Sequence, residues 1–212
     1  EVSINLLNRS AQADRTLIID MLDRANRRIG DHINAQIPVF HGPPEGIMAA
    51  TAVVALIEGR KAMLASVGDS RIYLIRDQLI CSLMVDDDLA THLIQMGQTP
   101  TQAQQTPSAA ALINCVGEFQ KNSEQQLVPV KIHPQFLEFD LLPGDTFVLC
   151  SDGLPDYSGF DEEDAERRIL DVVTSSFSAP RSAFELISLA NRGGGGDNLS
   201  CIVLRFYSSE ET

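Results

Sequence analysis

Three aspartates share one local setting. Asp69 in "SVGDSR", Asp152 in "VLCSDGL" and Asp197 in "GGGGDNLS" each stand where an apolar run meets small, turn-forming residues. A turn at a strand end aims a side chain into a cleft while the strand anchors its backbone. Several carboxylate oxygens gathered in this way would suit Mg²⁺ or Mn²⁺, hard ions that prefer carboxylate and water ligands. Taken singly, each residue is better read as an ordinary turn aspartate, because Asp and Gly are the commonest turn residues. The recurrence of one design at three places favours the metal.

The glycine run Gly193–Gly196 offers a competing chemistry. A phosphate-cradling loop should lead into a helix bearing Lys-Ser or Lys-Thr, or fit GxGxxG. This run leads instead into Asp197, Asn198 and an apolar strand. A nucleotide loop is therefore disfavoured, and a helix C-cap followed by a flexible connector fits better while leaving Asp197 available as a ligand.

The elements that must position these residues are legible in the spacing. Ile18, Leu22, Ala25, Ile29 and Ile33 recur at helical steps and predict an amphipathic helix from Asp14 to Ile37. "TAVVALIE" and "KAMLASVG" read as strands joined by a hairpin at Glu58-Gly59-Arg60, and "RIYLIRD" follows a tight turn carrying Asp69. "QLICSLMV" adds a further strand. "DDLATHLIQMG" has an Asp at its start and Gly97 at its end, as a capped helix should, and Thr99-Pro100 opens a short helix through Gln105. Pro129 and Pro134 mark edge strands or bulges in "LVPVKIHPQFLEFDL". "DTFVLC" is a strand, "DEEDAERRILDVVTSS" and "PRSAFELISLANR" are helices, and "NLSCIVLRFY" is the last strand. Strands in runs with helices grouped between them predict an α+β fold built on antiparallel sheets.

Composition narrows the classes. The 212 residues, 44% of them hydrophobic, suit a single domain over 1–212. Sixteen Lys and Arg against 29 Asp and Glu give a net charge of −13, which repels phosphate backbones, so no nucleic-acid partner is expected. Cys81, Cys115, Cys150 and Cys201 are widely spaced, with no CxxC, and predict neither a structural zinc site nor a disulfide scaffold. Cys150 and Cys201 lie in apolar strands as small hydrophobes. No apolar run is long enough for a membrane span and no signal-peptide pattern is present, so the expectation is a cytoplasmic protein without a membrane partner.

"SVGDSRIYLIRD", "LLPGDTFVLCSDGLPD" and "GGDNLSCIVL" resemble, in order, motifs of the metal-dependent protein phosphatases, the type 2C Ser/Thr family. "GIMAATAVVALI" and "LMVDDDLATHLIQMGQTP" resemble the segments on either side of the first motif. The resemblance implies two packed antiparallel β-sheets flanked by helices, an α-β-β-α sandwich with a dinuclear Mn²⁺ or Mg²⁺ centre. It implies Asp152 and Asp197 as metal ligands, and Asp69 as a ligand of a third, weaker ion. The implied reaction is hydrolysis of phosphoserine and phosphothreonine in phosphoproteins by a metal-activated water, with a Ser/Thr kinase or its targets as partners.

The departures from the family pattern are specific. Its Asp-Gly-x-Gly-Gly motif, whose Asp bridges both metals, and its phosphate-binding Arg are not among residues 1–212, and the opening "EVS" resembles what ordinarily follows that motif. The expectation is a preceding segment in the gene product, because removal of two strands would expose sheet edges and core. Ala50 stands where the family often has Thr, Asp87 and Asp88 replace His-Ser, and Ala109-Ala110 replace Arg-Asn. No histidine matches a catalytic position, so no catalytic acid is assigned. The alternative is a pseudophosphatase that keeps the fold as a protein-binding module.

Overall fold

The computed structural model describes residues 15–44 and 47–207. The "EVS" opening and Asp14 lie outside the described residues. In chain order the elements are α1 (Arg15–Gln36), β1 (Ala52–Glu58), β2 (Lys61–Val67), β3 (Arg71–Arg76), β4 (Leu79–Ser82), α2 (Leu89–Gln95) and α3 (Pro100–Gln104). They continue as β5 (Phe119–Lys121), β6 (Leu127–Pro129), β7 (Gln135–Asp140), β8 (Thr146–Cys150), α4 (Gly153–Ser158), α5 (Glu162–Ser175), α6 (Ala179–Arg192) and β9 (Cys201–Arg205). Two compact units result, one from Glu1–Gly68 and Asp87–Phe139, the other from Asp69–Asp86 and Asp140–Thr212. No helix among the described residues is long and apolar enough to cross a membrane.

In the first unit, β1 and β2 pair from Ala52↔Val67 to Glu58↔Lys61. The hairpin turns on Gly59, whose φ of 59° lies in the left-handed region that glycine enters without steric cost. β7 joins the other side of β2, and β5 with β6 makes a separate two-stranded ladder. Pro129 sits in this outer ladder, and Pro134 immediately precedes β7. The three-residue strand β5 has no signal in the sequence, being too short to show a period.

The buried seam of α1 is Ile18, Leu22, Asn26, Gly30 and Ile33. Asn26 and Gly30 therefore hold the places that hydrophobicity alone would give to Ala25 and Ile29. Asn26 accepts the Gly117 N–H at 2.9 Å and donates to the Val130 carbonyl at 2.9 Å, bonds that let a polar side chain remain buried. Gly30 faces the ring of Phe119, where a Cβ would come within 2.9 Å of a ring carbon.

Asp87 and Asp88 also have structural work. Asp87 accepts hydrogen bonds from the Gly68 N–H at 3.1 Å, Asn114 Nδ2 at 2.7 Å and Gln135 Nε2 at 2.9 Å. Asp88 caps α2 through the Thr91 N–H. Aspartate and serine are about equally good N-caps, so the replacement of the family's Ser here is physically neutral. α3 carries a full capping box from Thr99 and Gln102, as Thr99-Pro100 suggested.

The second unit is the sheet β4-β3-β8-β9, antiparallel throughout, with α4, α5 and α6. Every residue of β8 is buried. Tyr73, Ile75, Val148 and Cys150 from the strands pack with Leu154 of α4, Ile169 and Val173 of α5, and Leu186 and Ala190 of α6. Asp161 and Ser178 cap α5 and α6. β2 and β3 belong to different sheets, so the Gly68-Asp69-Ser70 turn is a passage from one sheet to another. α4 starts immediately after Asp152, where the sequence suggested only a turn; its proline falls in the first helical turn, where a missing N–H is tolerated.

One ion pair fixes the start of β8. Asp145, its side chain fully buried, accepts Arg76 Nε at 2.6 Å, Arg76 Nη2 at 2.7 Å and the Leu142 N–H at 2.8 Å. Burial alone would raise the Asp145 carboxyl, and the Arg76 guanidinium and Leu142 N–H outweigh it, so it is held below the usual carboxylate range. Its folded value being lower than its unfolded one, Asp145 stabilises the protein above pH ~4, and that contribution disappears as the pH falls through the folded value. Asp145→Ala is expected to cost roughly 3 kcal/mol in urea denaturation at pH 7, with the deficit shrinking on acidification; an unchanged midpoint would refute this role.

Candidate active site

The ladder between β8 and β9 ends at Cys150↔Cys201, and the two chains separate there. Ser151 holds the junction: its N–H donates to the Ser200 carbonyl at 3.1 Å, and its hydroxyl accepts the Ser200 N–H at 3.1 Å. Asp152 then turns into α4 with helical backbone angles, its carboxylate accepting the Gly153 N–H at 2.8 Å. Asp197 accepts the Asn198 N–H at 2.6 Å on the opposing chain.

Gly153 is where the two segments meet. A Cβ on it would lie 2.8 Å from the Asn198 carbonyl oxygen and 3.7 Å from the Asp197 Cβ. Two carboxylates far apart in sequence thus project from backbones in near contact. Asp69 reaches the same end of the sheet by register: Arg71 lies opposite Cys150, Asp69 is two residues before the one and Asp152 two after the other. Among the described residues no three His, Cys, Asp or Glu are gathered tightly enough to hold a metal ion, so Asp69 does not close a three-carboxylate cage with the other two.

The glycine run packs against α4. A Cβ at Gly193 would overlap the Tyr157 carbonyl, and one at Gly196 would lie 2.4 Å from the Tyr157 hydroxyl. Gly194 and Gly195 have φ of 130° and 54°. Close approach and left-handed backbone account for the run, in agreement with a connector that delivers Asp197.

Charge accumulates at this end of the sheet. Solvent reaches Asp156, yet loss of hydration to surrounding atoms pushes its carboxyl up. The negative charges of Asp152, Asp197 and Asp86 push the same way, with Arg71 pulling against them. Arg71 is the cation in this field. It donates to Asp86 with Nη2 at 2.8 Å and Nε at 3.2 Å, to Glu162 at 2.9 Å and to the Tyr73 hydroxyl at 3.2 Å. Burial is the largest influence on the guanidinium and opposes its charge; Asp86 and Tyr73 more than compensate, so it stays protonated. Arg71, Asp86 and Asp156 escaped the sequence reading. One signal was available, since period two puts Arg71 on the face of β3 that carries Tyr73 and Ile75, both buried.

The comparisons with known proteins agree on one family. The protein phosphatase 2C model matches residues 2–189. The chain belongs to the protein phosphatase 2C family. Serine/threonine protein phosphatase PstP of Mycobacterium tuberculosis is 30% identical over 187 residues, covering 88% of this chain and 32% of that protein. Protein phosphatase PhpP of Streptococcus pneumoniae is 33% identical over 154 residues, covering 72% of this chain and 56% of that protein. The chain thus spans about a third and just over half of these relatives' lengths. Among solved structures, the PstP catalytic domain in complex with 2 manganese ions superposes with a TM-score of 0.71 at 25% identity, covering 98% of this chain and 81% of that one. The phosphatase 2C fold is therefore the α+β architecture seen here, antiparallel sheets with flanking helices.

For a divalent ion the donor chemistry fits. Asp152 and Asp197 offer hard oxygens from abutting segments, although two carboxylates supply only part of the six or so ligands such an ion takes. The contact at Gly153 is the geometric condition for that pairing. Gly153→Ala is expected to push the 197–198 segment away and to destabilise the protein by about 2 kcal/mol. Thermal denaturation checks this: a melting temperature equal to that of the parent would show that the segments do not need this approach.

Proposed function

We propose that this chain forms part of the active site of a metal-dependent phosphatase that hydrolyses phosphoserine and phosphothreonine in proteins. The observation that carries the reading is the approach of the Asp152 and Asp197 segments at Gly153. Membership of the phosphatase 2C family and the manganese-bound relative support it. A phosphoprotein is the substrate class, and a Ser/Thr kinase is the enzyme whose product would be consumed.

In this reading Asp152 and Asp197 hold Mn²⁺ or Mg²⁺, and Asp69 assists a more weakly held ion at the same end of the sheet. When bound, the ions supply charge against the phosphoryl oxygens and lower the pKa of a water. The chain's own residues do the positioning. β8 fixes the backbone of Asp152, Ser151 locks the junction to Ser200, and the glycine run lets Asp197 approach. Asp86 and Asp156 deepen the negative potential that attracts cations, while Arg71, clamped by Asp86 and Glu162, limits the repulsion among the carboxylates.

The test uses the full-length gene product with a phosphopeptide substrate and Mn²⁺. Asp152→Asn and Asp197→Asn should each reduce kcat/KM by about 100-fold or more and weaken Mn²⁺ binding in calorimetry. Asp69→Asn should be milder and be partly rescued by higher Mn²⁺. Full activity in either of the first two variants would refute the assignment. A stable fold with no Mn²⁺ binding in calorimetry and no hydrolysis would instead favour a pseudophosphatase.

A further inference from the structure

Cys150 and Cys201 are separated by fifty positions in the chain but are direct partners across β8 and β9. The hydrogen-bond pattern fixes what kind of partners they are. At one end of the ladder the Ser151 N–H donates to the Ser200 carbonyl; at the other the Phe206 N–H donates to the Asp145 carbonyl. In an antiparallel ladder hydrogen-bonded and non-hydrogen-bonded pairs alternate, so both ends make 150/201 a non-hydrogen-bonded pair. Such pairs have Cα atoms ~4.5 Å apart and side chains on one face, within the span a disulfide bridges. Both residues belong to one apolar cluster, with Cys150 buried within it and Cys201 packed against it. Both are free thiols.

We propose that Cys150 and Cys201 are a modification site: a pair that a low-molecular-weight disulfide oxidises to a cross-strand disulfide. Cys150 is enclosed in the apolar cluster and Cys201 is half-buried against it, so neither thiol is freely reached in the fully paired sheet. Reaction therefore begins at Cys201, the less buried of the two, on β9, the outermost strand of this sheet among the described residues. Its thiolate attacks one sulfur of the small disulfide and expels a thiolate. Cys150 then attacks the Cys201 Sγ and expels the second. Two protein thiols are oxidised, one small disulfide is reduced to two thiols, and the two protons pass to the departing sulfurs. The new bond closes a loop that contains α4, α5 and α6 and both aspartates at the sheet end. It staples the junction from which Asp152 and Asp197 project.

The experiment reads a covalent bond and so stands or falls apart from any catalytic assignment. The full chain is incubated with oxidised glutathione, with and without low urea to loosen β9, and followed by intact mass and non-reducing peptide mapping. The expected result is loss of two hydrogens, a peptide joining Cys150 to Cys201, faster formation in urea, and a melting temperature raised by about 5–10 °C that dithiothreitol reverses. Cys81→Ser, which removes the exposed thiol, should leave the bond intact, and Cys201→Ser should abolish it. A glutathione adduct confined to Cys81, a bridge to Cys115, or no mass loss in urea that permits amide exchange in β9 would overturn the proposal.

Discussion

β8 is buried at every residue and hydrogen-bonded on both edges, to β3 and to β9. A strand so enclosed cannot carry a carboxylate within its length without an internal partner. It can present one only where the ladder stops. That stop comes after Cys150, where the chain must turn away from β9 within a few residues, and the absence of a side chain on Gly153 lets it turn against the Asn198 carbonyl. The position of Asp152, the junction through Ser151 and Ser200, and the approach of Asp197 all follow from this one tight contact.

The two ends of β8 show how environment divides identical side chains. Asp145, at the entry, is enclosed and bound bidentately by Arg76, with a backbone N–H completing its partners. Its charge is spent within the fold. Asp152, at the exit, accepts the N–H of its own neighbour and makes no ion pair among the described residues. Four residues on, Asp156 feels the like charges of Asp152, Asp197 and Asp86, and Arg71, already held by Asp86 and Glu162, offsets only part of them. One end is closed electrostatically, whereas at the other the carboxylates outnumber the one cation among them.

Most elements were legible because their signals are local. The capped helices α2 and α3, the β1–β2 hairpin and the strands flanking Asp69, Asp152 and Asp197 follow from caps, turn residues and apolar period. What failed was of another kind. Asn26 and Gly30 occupy the buried seam of α1 because of bonds to Gly117 and Val130 and the ring of Phe119, all distant in sequence. Period gives a helix its apolar stripe, but its exact rotation follows from what it packs against. Likewise the Gly68-Asp69-Ser70 turn looks like any tight turn in sequence, and only the pairing of β3 with β8 reveals that it leaves one sheet for another.

The sequence by itself determined the chemistry on offer: three aspartates at strand ends, a glycine connector that is no nucleotide loop, and an ordered set of motifs that points to one family. It could do so because residue type and near-neighbour spacing are properties of the chain alone. Tertiary structure decided which of the segments that carry those carboxylates come together. The register of β9 on β8 brings the Asp197 segment against Gly153, the register of β3 on β8 brings Asp69 to the same end of the sheet, and Arg71 is held between Asp86 and Glu162. Register is set by contacts between residues remote in the chain, and no local pattern contains it.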